Sequence, residues 1–167
     1  MHLEIGKSES RFDHGAHTHA SRERQICDAA KLAEAAFSEL TDFAGCAPDI
    51  AGYQSRVFRV FRWYFLSAYC MRLLTNAAHR LEHQTLQVSM DVFSAVRMAL
   101  PESEVEVSMA LARDKVTTLA AARTNKIGCR GHSAGWIAAK MKQQGRNIPS
   151  EIKSSLAGAL SASERRV

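Results

Sequence analysis

The densest aromatic and apolar run in the chain is WYFLSAYCM, residues 63–71. It lies inside a segment from Tyr53 to about His83 that contains no Gly or Pro, the residues that most often interrupt a helix. A helix of this length would extend roughly 45 Å. Its apolar residues lie on one face in the first half and on the opposite face in the second, so it needs neighbours on both sides. The sequence therefore predicts an all-α fold, a single-domain helical bundle of about five to six helices around one long central helix.

Helical periodicity continues on both sides of the central helix. Residues 22–43 carry an apolar stripe at i, i+3 and i+4 from Ile26 to Leu40, and Ser21 is of the type that caps a helix N-terminus. Residues 85–99 begin with an alternating apolar pattern, but a strand there would have no second strand to pair with. We therefore expect a helix in that segment too.

Pro and Gly divide the second half of the chain into shorter helices. Pro101 is followed by acidic residues that suit a helix N-terminus, and Gly128 is predicted to end the helix that begins there. A short helix capped by Ser133 is expected to end at Gly145. Apolar spacing predicts a final helix over about 152–160.

Length and composition indicate one domain. A chain of 167 residues with 46% hydrophobic and 23% charged residues is long enough to bury a core and is typical of globular proteins. We assign residues 1–20 to a His-containing N-terminal arm, 21–161 to the helical bundle and 162–167 to a tail.

Two further features bear on where the protein resides. The arginines within the central apolar run exclude a membrane span, and the N-terminus lacks the pattern of a secretion signal. Cys27, Cys46, Cys70 and Cys129 include no C-x-x-C pair, and three of them fall in helical patterns, which favours buried thiols in a reducing compartment. Disulfides are the weaker alternative. We therefore expect a cytoplasmic protein.

The net charge of +5 is distributed unevenly along the chain. Residues 1–112 carry 11 Lys and Arg against 14 Asp and Glu, a net charge of −3. Residues 113–167 carry 11 against three, a net charge of +8, and no acidic residue occurs between Lys115 and Ser150. This asymmetry predicts an anionic partner for the basic C-terminal third, residues 113–161.

The segment KIGCRGHSAGW, residues 126–136, is the candidate binding site. Its three glycines would let a ligand approach the backbone, and the loop would lead into a helix N-terminus, which favours anions. Trp136 would stack on a base. The alternative is a solvated loop between helices, with Trp136 packed in the core. The predicted nucleic-acid-binding residues are Lys126, Arg130, His132, Trp136, Lys140, Lys142 and Arg146.

A second basic group lies on the central helix, where Arg56, Arg59 and Arg62 repeat every three residues. The preferred interpretation is that these arginines pair with acidic residues of the first helix. A second nucleic-acid contact is the alternative. The acidic residues considered are Glu34, Glu39 and Asp42.

One pattern resembles a catalytic motif. GHSAG, residues 131–135, fits the nucleophile elbow of α/β-hydrolases, but the preceding segment is predicted to be helical. No His follows Ser133 to act as the base, and His132 is too close in sequence to serve. We therefore expect no enzymatic activity and no catalytic residues.

Histidines occur twice at metal-ligand spacing. His14, His17 and His19 form a cluster in the arm, but solvation or contact with a partner is preferred to a metal site. His79 and His83 are four residues apart on the central helix, among arginines that would repel a cation. We predict no metal and no cofactor.

These features predict a non-catalytic subunit that binds nucleic-acid phosphates within a larger nucleoprotein assembly. In size, charge and helicity it is similar to the helical small subunits of CRISPR effector complexes. The expected partners are RNA or DNA and other protein subunits, with no membrane and no small-molecule substrate. The alternative is an adaptor, an effector or a phage-type inhibitor of a host-defence complex, whose basic face would bind an acidic protein.

Overall fold

The computed structural model describes the backbone of residues 10–45, 52–77, 85–113 and 119–164, with side chains described over 19–45, 55–75, 87–111 and 126–162. These residues are helical apart from short turns, and no strand occurs among them, which confirms the all-α prediction. The helices are α1 (Ser10–Ala44), α2 (Gly52–Ala77), α3 (Thr85–Ala99), α4 (Glu102–Arg113), α5 (Leu119–Gln143), α6 (Ser150–Lys153) and α7 (Ser155–Glu164).

Helix α2 is the central helix, as its apolar run predicts. It contacts α1, α3, α4, α5 and α7. Phe61, Phe65 and Tyr69 are almost completely buried and follow one another at intervals of one turn. Successive ring centroids in this series lie 6.5 and 6.1 Å apart, and Phe37 of α1 packs 5.3 Å from the ring of Phe65. The aromatic rings of α2 therefore form the centre of the core.

The most extensive helix contact joins α2 to α5, and glycine makes it possible. A Cβ atom on Gly131 would lie 2.5 Å from the carbonyl oxygen of Phe61, and one on Gly135 would lie still closer to that of Phe65. Further along, Arg72 of α2 bonds to Gln143 of α5. Residue numbers rise together on both helices, so α2 and α5 run parallel, with their backbones closer than any side chain would allow.

The glycine-containing segment 126–136 is helical, which corrects the predicted loop. Gly128 does not end a helix and Ser133 does not begin one, since both lie inside α5. Each glycine in a helix interior costs about 1 kcal/mol relative to Ala, which is why the sequence favours a break there. Close packing against α2 compensates for that cost, a contribution that only tertiary structure provides.

The first helix also differs from its prediction. It begins at Ser10 rather than near residue 22, so Ser21 lies within it and residues 10–20 are not a loop. Its C-terminal end agrees with the predicted range to within one residue, since α1 ends at Ala44. Gly45 follows with a φ of 61°. The predicted extension of the central helix beyond Ala77, to about His83, lies outside the described residues.

Two other predicted elements are confirmed. Residues 85–99 form α3, a helix and not a strand. Gly145, with a φ of 67°, ends α5: its N–H donates to the carbonyl of Lys142, and the N–H of Arg146 donates to that of Met141. This pair of bonds is a Schellman motif, which fixes the C-terminus of α5. The predicted final helix is divided into α6 and α7.

We predict that Gly135→Ala destabilises the protein, because the new methyl group would collide with the backbone of α2 and force the two helices apart. Overpacking of this kind costs about 1–3 kcal/mol, or more where backbone must move. Urea unfolding followed by circular dichroism at 222 nm measures the change in free energy of unfolding.

Gly158→Ala is the matched control. Gly158 also lies inside a helix, but nothing is within 4 Å of the position its Cβ would occupy. The same substitution there should stabilise the protein by up to about 1 kcal/mol through helix propensity alone. Equal effects of the two substitutions would contradict the close contact between α2 and α5.

Candidate nucleic-acid interface

Helix α5 has a small, buried inner face and a basic outer face. The inner face is formed by Gly128, Gly131, Ala134, Gly135, Ala138 and Ala139, all of which are buried. On the outer face, Lys126, Arg130, Ser133 and Lys140 are exposed. Because the glycines fix which side of α5 contacts α2, they also fix which side faces the solvent. The contact with α2 thus orients the basic residues outward.

The predicted cationic residues have different surroundings in the structure. Lys126, Arg130, Lys140 and Arg146 are exposed and form no ion pair with any residue that the structure describes. Lys142, in contrast, donates to Glu39 of α1 at 2.6 Å. The charge of Lys142 is therefore partly neutralised, whereas the other four cations keep theirs available.

The expected anion site at a helix N-terminus was wrong. Residues 128–135 lie well inside α5, where backbone N–H groups donate to carbonyls one turn earlier in the same helix. They are not available to a ligand. Anion binding by this segment therefore depends on side chains.

Trp136 and His132 lie on the flank of α5 that faces Arg72 of α2. Trp136 is half-buried, and the guanidinium carbon of Arg72 lies 4.9 Å from the centroid of its ring. The ring of the exposed His132, one turn earlier, is nearly parallel to the indole at 6.5 Å. The Nε of Arg72 donates to Oε1 of Gln143 at 3.0 Å. The indole thus stacks within the protein, neither solvated in a loop nor fully buried.

Two arginines of the second basic group, Arg59 and Arg62, bind α4, so their expected pairing with α1 was wrong. Arg59 donates two hydrogen bonds to Glu104, of 2.7 and 3.0 Å, and Arg62 donates one of 3.2 Å. Arg56 is half-buried and is not free either. The sequence contains acidic residues in both α1 and α4 but does not indicate which helix packs against this side of α2.

The environment of Glu104 changes three pKa values. The hydrogen bond from Arg59 is the main cause that holds the pKa of Glu104 below its ordinary value, and the same bond raises the pKa of Arg59. Burial lowers the pKa of Arg62, whose Nε is buried without a hydrogen-bond partner among the described residues. Glu104 is therefore the counterion of Arg62, whose guanidinium is largely removed from solvent.

Arg72 and Gln143 were missing from the predicted site. The sequence places Arg72 on the polar side of the central helix, near His79 and His83, which lie outside the described residues. Nothing in the spacing of one helix indicates that Arg72 meets Trp136, because the two residues are far apart in the chain. The register between α2 and α5 brings them together.

The exposed cations of α1 share their helix with acidic residues. Arg24 and Lys31 of α1 are exposed, but the same helix carries Glu23, Asp28 and Glu34. Elsewhere carboxylates bind arginines directly, as Asp91 binds Arg22. Helix α5 contains no acidic residue. Its outer face is consequently the part of the described surface where positive charge is least compensated.

Comparisons with protein-family models, curated proteins and solved structures find no match for this chain. Among the described helices, none has the length and apolar character needed to cross a membrane. Nor do three or more His, Cys, Asp or Glu side chains of the described residues gather where they would hold a metal ion. The side chains of His14 and His17 lie outside the described set; His19 is exposed and 3.4 Å from Glu23.

We predict that Glu104→Gln lowers the free energy of unfolding by about 1–2 kcal/mol at pH 7, because it leaves Arg62 without its counterion. The pKa of Glu104 is lower in the folded protein, so its stabilisation is fully present above the unfolded pKa of about 4.3 and is lost as the pH falls through the folded value. The difference between wild type and variant should therefore shrink below about pH 4. Urea unfolding at a series of pH values measures it.

Glu102→Gln is the control for this prediction. Glu102 also lies in the first turn of α4 and interacts similarly with the helix dipole, but it is exposed and forms no ion pair with a described residue. Its substitution should change stability by a few tenths of a kcal/mol at most. If Glu104→Gln has no larger effect than Glu102→Gln at pH 7, the role assigned to Glu104 is wrong.

Proposed function

We propose that the protein is a non-catalytic subunit that binds the phosphate backbone of RNA or DNA through the outer face of α5. The observation that carries the proposal is the set of exposed cations at that face. They form no ion pair with a described residue, and α5 contains no acidic residue. Lys and Arg in this setting attract phosphates without reading bases. We call this the basic surface of α5; it comprises Lys126, Arg130 and Lys140 on the helix and Arg146 three residues after its end.

The length of this surface suits several successive phosphates. Lys126 and Arg130 are neighbours one turn apart, and Lys140 follows about 21 Å after Lys126 at 1.5 Å per residue. Each strand of a duplex carries one phosphate per about 3.4 Å of helix axis. A nucleic acid lying along α5 would place phosphates near both ends of the surface at once.

The proposed role within an assembly rests on the charge asymmetry. A region of net charge −3 beside one of +8 provides one surface for nucleic acid and others for protein subunits. In size, charge and helicity the protein is also similar to the helical small subunits of CRISPR effector complexes. Cys27, Cys70 and Cys129 are free thiols, which supports a reducing compartment, and we propose the cytoplasm.

A salt titration tests the proposal. Each phosphate contact releases condensed counterions, so the logarithm of the affinity falls with the logarithm of the salt concentration, by a little under one per contact on duplex. We predict that the double variant Arg130→Ala/Lys140→Ala makes this slope shallower by about two for duplex and by less for a single strand. Binding should weaken equally on unrelated sequences. Fluorescence anisotropy with labelled oligonucleotides measures both.

The matched control is Arg24→Ala/Lys31→Ala, which removes the same charge from exposed positions on α1. This variant should keep the wild-type slope. If both double variants change the slope equally, only net charge matters and the site on α5 is wrong. If the wild type does not bind oligonucleotides at low salt, the basic surface belongs to an acidic protein partner instead.

A further inference from the structure

We infer that Arg72 is a phosphate-binding residue of this interface, held in a fixed orientation by Trp136 and Gln143. The inference deepens the proposed function and rests on it. It adds a residue from α2 to a surface otherwise formed by α5. It also changes the expected role of Trp136, from a platform for bases to a support for an arginine.

The geometry around Arg72 restrains its guanidinium group in two ways. The indole of Trp136 lies against the group, with 4.9 Å between ring centroid and guanidinium carbon. Gln143 accepts the hydrogen bond from Nε at 3.0 Å. An arginine that is already ordered loses less conformational entropy when it binds than one that moves freely in solvent.

These restraints leave the donors that bind phosphate available. The guanidinium has five N–H donors, of which Gln143 takes the one at Nε. The indole of Trp136 lies against the group but has no lone-pair acceptor, so it takes none of the remaining donors. The N–H groups of the two terminal nitrogens stay in the plane, where they match two oxygens of one phosphate.

Arg72 differs from the arginines that bind a carboxylate in the described structure. Arg22 binds Asp91, while Arg59 and Arg62 share Glu104. Arg97 also lies over an aromatic ring, that of Phe93, but at the longer distance of 5.8 Å. The partners of Arg72 are an aromatic ring and a neutral amide. Its positive charge is oriented but not neutralised, which is the state expected of an anion-binding residue.

The position of Arg72 extends the basic surface of α5. On α5, Lys140 lies four residues after Trp136 and three before Gln143, so all three share one flank of the helix. The guanidinium of Arg72 contacts Trp136 and Gln143 and therefore lies within about one turn of Lys140. Lys140 and Arg72 are accordingly close enough to bind two neighbouring phosphates of one strand.

The experiment compares Gln143→Ala with Gln144→Ala, using labelled duplex oligonucleotides. Both residues are exposed glutamines at the end of α5, but only the side chain of Gln143 bonds to Arg72. Neither substitution changes the charge. Gln143→Ala should weaken binding about two- to tenfold, the cost of ordering one mobile side chain, whereas Gln144→Ala should bind as wild type does. Thermal unfolding should be the same for both.

Two variants of Arg72 complete the test. Arg72→Ala should make the salt slope shallower by about one. Arg72→Lys keeps the charge and should keep the slope, but it should lose affinity, because an ammonium group lacks the planar pair of donors. If Arg72→Ala does not fold, the affinities of Arg72→Lys and Gln143→Ala for the oligonucleotides still test whether Arg72 binds phosphate.

The outcomes separate this inference from the proposed function. If Arg130→Ala/Lys140→Ala lowers the slope while Arg72→Lys and Gln143→Ala bind as wild type does, Arg72 is not a contact and the interface on α5 stands. If none of these variants changes binding or slope, both are wrong. Reduced affinity of Gln143→Ala and Arg72→Lys, with an unchanged melting temperature, supports the inference.

Discussion

The structure depends on a contact between two helix backbones. At Gly131 and Gly135, α5 lies directly against the carbonyl groups of Phe61 and Phe65, where even a methyl group would collide. Such a contact restricts the rotation of α5 about its axis, because only its glycine side fits against α2. The opposite side must then face the solvent. A packing constraint in the core therefore selects which residues of α5 are exposed to the solvent.

The same contact brings residues of α2 into the candidate interface. Parallel packing in this register places Arg72 beside Trp136 and Gln143. Trp136 is consequently neither a core residue nor a free aromatic platform, since it packs against an arginine at the edge of the bundle. The interface is a property of the helix pair and not of α5 alone. A change that separates α2 from α5 would lower stability and, if the proposed function is correct, would also weaken binding.

The sequence predicted the elements whose signals are local. The aromatic run predicted α2, the stripe from Ile26 to Leu40 predicted the buried face of α1, and Gly145 predicted the end of α5. It failed where one residue type permits two structures: glycine allows both a loop and a close helix contact, and only the partner helix decides between them. The pairing of Arg59 and Arg62 with Glu104, like the contact between Arg72 and Trp136, depends on helix order and register. The exposure of Lys126, Arg130 and Lys140, by contrast, follows from their charge.

The composition of α5 is difficult to explain by stability alone. Its glycines each cost about 1 kcal/mol in helix propensity, and like charges one turn apart, such as Lys126 and Arg130, cost a few tenths more. The close contact with α2 accounts for Gly131 and Gly135, but nothing described in the fold requires the cations or the absence of acidic residues from their helix. Elsewhere Arg22 is paired with Asp91, and Arg59 and Arg62 are paired with Glu104. Under the proposed function, the phosphates of a nucleic acid would supply the negative charge that this helix lacks.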